Sequence, residues 1–225
     1  MTTPTTKVSS LSDRSGVTDA VRTQILATEH WSLLATRSLT WNEMFSRASM
    51  FVTVLSAAVV ALALVAQATS FGSQFNLFAL LILPVVLLVG LATFIRLGEA
   101  NTDDIGLVIG MNRLRHAYLE LAPELQPYFT TGHHDDHASI LQSYGLGYRL
   151  SLSRVLGGTP AFVGAINVVL VGVVAALIAE MLEAPGTASV VVGVIAALVA
   201  AVGHAALVLD AIIRGRRSHR PRFPS

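Results

Sequence analysis

The stretch ASMFVTVLSAAVVALALVAQ, residues 48–67, carries no charge from end to end. It matches the roughly 20 residues that an α-helix needs to cross a bilayer core. A second such stretch, LFALLILPVVLLVGLATFI, covers 77–95, and two more cover 161–179 and 190–209. The connectors 68–76 and 180–189 contain no Lys or Arg. All 15 cationic residues lie before or at the start of the first stretch, between the second and third, or after the fourth. Cationic loops are retained on the cytoplasmic side, so both termini and the middle loop are expected inside. The predicted fold class is all-α: a polytopic membrane protein with four transmembrane helices and cytoplasmic helical extensions. Its first partner is the lipid bilayer.

Composition agrees. With 53% hydrophobic and 13% charged residues over 225, the chain lies outside the soluble globular range. There is no cysteine, which excludes disulfides, thiolate metal sites and cysteine nucleophiles. Arg far outnumbers Lys, a bias of GC-rich bacterial genomes, and the expected location is the bacterial plasma (inner) membrane. The polar, Ser/Thr-rich start has no apolar core and does not read as a secretory signal. The C-terminal Arg214, Arg216, Arg217, Arg220 and Arg222 form a basic tail suited to anionic lipid headgroups. That tail is short and holds one aromatic, Phe223, so nucleic acid is not an expected partner.

Five segments follow. Residues 1–17 read as a disordered tail. Residues 18–122 hold a cytoplasmic helix, the first transmembrane hairpin and a returning cytoplasmic helix. Between Gly16 and Gly72 there is neither Gly nor Pro, so one helix of about 50 residues is expected from Thr18–Asp19 onward. The string Asn101-Thr102-Asp103-Asp104 looks like a helix cap and predicts a break or bend. Leu107, Met111, Leu114, Tyr118, Leu121 and Leu125 then repeat at spacings of four and three, a coiled-coil seam whose nearest partner is the extension of the first helix. Residues 123–159 read as a cytoplasmic loop followed by a juxtamembrane helix near Ser139–Val155. Residues 160–213 form the second transmembrane hairpin, and 214–225 the basic tail.

The outline of the first half, with the segments Glu29-His30-Trp31-Ser32-Leu33-Leu34-Ala35-Thr36-Arg37 and Met111-Asn112-Arg113-Leu114-Arg115-His116-Ala117-Tyr118, looks like pieces of bacterial integral membrane proteins. Over roughly Thr18 to Ala122 the layout resembles the SLATT family, two-membrane-helix proteins of bacterial conflict systems. The resemblance implies a membrane-effector role. The second hairpin departs from the two-helix plan, and no functional residue carries over.

The one cluster with metal-ligand chemistry is His133-His134-Asp135-Asp136-His137. On a helix, His133 and His137 would share a face and could hold a divalent ion with a carboxylate. In a loop, an Asp would cap the helix that follows; Gly132 and the nearby prolines favour the loop, and no metal or other cofactor is expected. No serine sits in a G-x-S-x-G turn, and Gly145-Leu146-Gly147 lacks phosphate-loop context. Ser46, Ser49, Thr53 and Ser56, continued by Ala57 and Ala61, form a small-residue stripe that reads as helix packing rather than a pore lining. Asn167 and His204 are the polar residues placed well inside membrane stretches. Counted from the inner face they lie at similar depth, so they are expected to partner each other, directly or through a water.

The expected function is therefore non-catalytic: an assembly or membrane-effector component, acting as a homo-oligomer. A small ion channel or transporter using His204 and the Ser/Thr stripe is the alternative. A metal-dependent membrane enzyme using the His133–His137 cluster is the second.

Overall fold

A computed structural model describes residues 17–145 and 157–225. Helix α1 runs Asp19–Thr69 and α2 runs Ser73–Leu121. A 3-10 turn, Pro123–Tyr128, leads to α3, His137–Ser143. Helices α4, Thr159–Met181, and α5, Gly186–Ser218, form the second hairpin. Among the described residues there is no strand. Four helices, α1, α2, α4 and α5, are long and apolar enough to cross a membrane. The chain is an all-α polytopic membrane fold. The expected tail up to Gly16, most of the expected 139–155 helix, and Leu146-Gly147 lie outside the described residues.

Helix α1 is unbroken over 51 residues, as its lack of Gly and Pro predicts. Thr18 caps it: its backbone carbonyl accepts from Arg22 N at 3.1 Å, and its Oγ1 from Val21 N at 3.4 Å. The turn into α2 holds Ser70 and Phe71 at positive φ, 47° and 59°, a conformation that costs about 1–2 kcal/mol for a residue with a Cβ.

The chain divides into two compact units. The helix-bundle unit comprises 39–104 and 149–220. Its core takes Met44, Ala48, Phe51 and Ala58 from α1, and Ala79, Leu83, Val86, Phe94, Leu97 and Ala100 from α2. Val163 and Leu170 of α4 complete it. Within each helix these positions are separated by three, four, seven or eight residues, the spacings that keep side chains on one face. α5 meets α4 where two glycines face each other: a Cβ on Gly193 would stand 2.8 Å from the Gly172 carbonyl oxygen. Only hydrogen fits there, so the two backbones approach closely. At one end of the first hairpin Glu43 accepts from Arg96 Nε at 3.1 Å and from Arg47 Nε at 2.9 Å. Beside them Trp41 Nε1 donates to Asp104 Oδ1 at 3.1 Å.

The break expected at Asn101–Asp104 does not occur. α2 runs through it, because these residues do other work. Thr102 Oγ1 bonds back to the Gly98 carbonyl at 3.1 Å, and Asp104, 1% exposed, is the acceptor for Trp41. The seam is also displaced from the expected register. Buried positions run Leu97, Ala100, Asp104, Val108, Met111 and Asn112. Of the expected set only Met111 is buried; Leu107, Leu114, Tyr118 and Leu121 are half-buried and Leu125 is exposed. The buried register simply continues that of the membrane part of α2, with two polar residues in it that apolar counting passes over.

The tail-binding unit comprises 1–38, 105–148 and 221–225. Val108, Met111 and Ile140 form its small core, with Leu33 of α1 packed on it. His30 stacks on Tyr118, ring centroids 5.9 Å apart, and the Arg37 guanidinium lies 5.4 Å from the Tyr144 ring centre. The N-terminal part of α1 thus packs on the C-terminal part of α2, touching Met111 and Tyr118 of the expected seam together with Val108 of the neighbouring register.

Candidate functional site

The His133–Asp136 segment is a loop, and His137 is the first residue of α3. The loop is closely packed. A Cβ on Gly132 would stand 2.2 Å from the Ser139 carbonyl oxygen, so the loop passes α3 at a distance only glycine permits. Asp136 caps α3 by accepting from Ser139 N at 2.8 Å. Asn112, wholly buried, donates to the His134 carbonyl at 2.9 Å. Its Oδ1 accepts from Arg115 at 2.8 Å and from Ser143 Oγ at 2.7 Å, tying the loop to α2 and α3.

The two carboxylates have a purpose that spacing did not disclose: they hold the C-terminal segment. Asp135, 0% exposed, accepts from Arg222 N at 2.9 Å and from Phe223 N at 2.8 Å. Arg113 Nε donates to the same carboxylate at 2.8 Å. Asp136 Oδ2 accepts from Ser225 N at 2.8 Å. In return Asp135 N donates to the Phe223 carbonyl at 3.2 Å. Pro221 and Pro224 have no N–H, so every backbone donor in 221–225 reaches an aspartate. The Phe223 ring lies 4.7 Å from that of His116. His116 in turn lies 5.4 Å from His134, and His134 lies 4.3 Å from His133.

Burial pushes the Asp136 carboxyl up, but the backbone and hydroxyl donors of Ser139 and Ser225 outweigh it and hold it at about 2. Asp135 is held below its ordinary value in the same way: burial opposes, and the Arg222 and Phe223 amides with Arg113 prevail. His133 is lowered by burial, then by His134 and His116. The carboxylates titrate lower in the closed clasp than in the open chain, so their contribution is complete above pH 3.8. The Asp136 share is lost as pH falls from there toward about 2, and the Asp135 share is lost on the same acidic side. A spin label on Phe223→Cys, in a chain with no other cysteine, is expected to be immobile at neutral pH and to loosen across that acidic window. Loosening near pH 6 instead would assign control to the imidazoles and refute the carboxylate clasp.

Of the five residues expected as possible metal ligands, Asp135 and Asp136 are engaged by the tail. Among the described residues no three His, Cys, Asp or Glu side chains are grouped to hold a metal. His133 and His137 do not share a helical face, since only His137 is helical. Arg113, Asn112, His116 and Phe223 were named in the sequence reading but given no role in a site. The available signal was the proline pair around Phe223, which marks a segment with few donors to satisfy.

Asn167 and His204 do not hydrogen-bond each other. His204 Nδ1 lies 2.8 Å from the Ala200 carbonyl oxygen of its own helix, and its ring lies 4.5 Å from Phe94. Asn167 is wholly buried, with its Oδ1 against Gly90 of α2. Its two amide atoms and His204 Nε2 have no protein partner. The Ser/Thr stripe is exposed rather than packed within the chain, and Thr53 and Ser56 bond back to the Ser49 and Val52 carbonyls at 2.9 and 2.8 Å. Comparison with known proteins returns no matching family model, no similar curated protein and no similar solved structure.

Proposed function

We propose that this chain is a non-catalytic integral membrane protein of the bacterial inner membrane that works as a homo-oligomeric assembly component. The observation that carries the reading is the outward face of α1. Ser46, Ser49, Thr53, Ser56 and Ala57 are exposed there, small, and uncharged. Small residues allow close approach of membrane helices, and hydroxyls already bonded to their own backbone cost nothing further to bury. A second copy is the natural occupant of such a face. The one-sided distribution of Lys and Arg supports a topology with both termini inside. The SLATT-like layout of the first half supports a membrane-effector version of the same role.

Disulfide formation tests it. The chain lacks cysteine, so Ser49→Cys can be compared in membranes with Val54→Cys, which is also exposed but lies about 140° round the helix from Ser49. Cross-linked dimers are expected at Ser49 and not at Val54. Equal yields, or none, would dismiss this face as an interface. In the same membranes an impermeant thiol reagent applied to intact cells is expected to reach Ser73→Cys and not Ser218→Cys. Ion flux through liposomes carrying the purified protein would favour the channel alternative.

A further inference from the structure

Among the described residues of the helix-bundle unit, three buried side-chain polar atoms have no protein partner: Oδ1 and Nδ2 of Asn167, and Nε2 of His204. Buried polar atoms are almost always satisfied, by protein or by ordered water. The state of the imidazole follows from its other nitrogen. His204 Nδ1 lies 2.8 Å from the Ala200 carbonyl oxygen, which can only accept, so Nδ1 carries the proton. In the neutral ring Nε2 is then a bare acceptor.

The neighbours place these atoms in adjoining layers. His204 Cδ2 lies 3.5 Å from where a Cβ on Gly164 would be, and Phe94 presses on the same glycine at 3.1 Å. One turn along α4 is Asn167, on the same face as Gly164. One turn along α2 from Phe94 is Gly90, where a Cβ would stand 2.0 Å from Asn167 Oδ1. Side chains on a helix lean toward its N-terminus. In the antiparallel α4–α5 pair this carries the His204 ring and the Asn167 amide toward each other. Oδ1 rests on the Gly90 backbone, where a Cα–H can serve it weakly. Nδ2–H, a donor, and Nε2, an acceptor, remain.

We propose that Asn167 and His204 form a site for one internal water molecule within the membrane-spanning bundle. The water accepts the Asn167 Nδ2–H and donates to His204 Nε2. It is the smallest ligand that offers one acceptor and one donor at once, and buried water is held by two or more polar partners. Gly90 is a positioning residue: its missing side chain is the seat that turns the amide toward the imidazole.

The test uses the full chain, labelled with ¹⁵N-histidine, in lipid bilayers. Solid-state NMR with magnetisation transferred from water reads both tautomer and hydration, and His204→Gln identifies the His204 signals. The expected result is an Nδ1–H tautomer whose Nε2 receives magnetisation from water. In Asn167→Leu the water transfer should be lost while the tautomer persists, because the Ala200 carbonyl is still there. Gly90→Ala, which drives the amide from its seat without removing a polar group, should lose it as well, and serves alone if Asn167→Leu fails to fold. An Nε2–H tautomer, no water transfer in the native chain, or transfer unchanged in the folded variants would overturn the site.

Discussion

Asp135→Ala is expected to release the C-terminal segment and to destabilise the tail-binding unit by about 3 kcal/mol, the low end of the 3–5 typical when one partner of a buried pair is removed. Two amides, Arg222 N and Phe223 N, lose their acceptor together with the Arg113 guanidinium. The low end applies because Arg113 is 32% exposed and can turn to water, whereas Asp135 is fully buried. A loss of that size is a large share of the roughly 5–15 kcal/mol that holds a typical domain together. Hydrogen exchange checks it: the amides of Arg222 and Phe223 should lose protection, while those of α4 keep theirs. Asp135→Asn, which keeps one acceptor oxygen, should fall between. Unchanged protection in Asp135→Ala would show that the segment is held by something other than this carboxylate.

The second large effect is expected at Gly193. Even a methyl group there would stand 2.8 Å from the Gly172 carbonyl oxygen and 3.0 Å from Ala176 Cβ. Backbone cannot yield as a flexible side chain can. Gly193→Leu should therefore force α5 away from α4 and cost at least the 1–3 kcal/mol typical of overpacking. Gly203 is the control on the same helix, since a Cβ there meets nothing within 4 Å. Denaturation midpoints in detergent should drop sharply for Gly193→Leu and stay level for Gly203→Leu. Equal behaviour of the two would deny the close α4–α5 contact.

What the sequence disclosed, and what it withheld, follows from the range of the forces. The four membrane helices were legible because hydrocarbon imposes a length and a composition that one chain displays locally. The unbroken α1 was legible for the same reason: it depends on the absence of Gly and Pro. The seam of α2 was read one register off, because Asp104 and Asn112 occupy buried positions and polar residues are invisible to apolar counting. Their partners, Trp41 and the His134 carbonyl, are 63 and 22 residues away. The break expected at Asn101–Asp104 failed on the same point, since a cap-like string is local and the indole that satisfies Asp104 is not. The aspartates of the His133–His137 cluster reach residues 87, 88 and 89 positions on, which no spacing rule covers. Asn167 and His204 were found by their depth, but their orientation depends on Gly90 and Phe94 of another helix.

The tail is gripped almost entirely through its main chain. Three amides and one carbonyl make the bonds, and among the described residues the side chains that add to them are those of Phe223 and Ser225. Such a lock is keyed to where the peptide lacks hydrogens, not to which letters it is spelled with. Arg222 can drift to almost any residue without loosening it, whereas a proline at 222 or 223 deletes a tooth of the key. Mutational scanning of this segment should therefore find wide tolerance of side-chain chemistry beside strict intolerance of one imino acid, a signature that a charge-reading or sequence-reading contact does not leave.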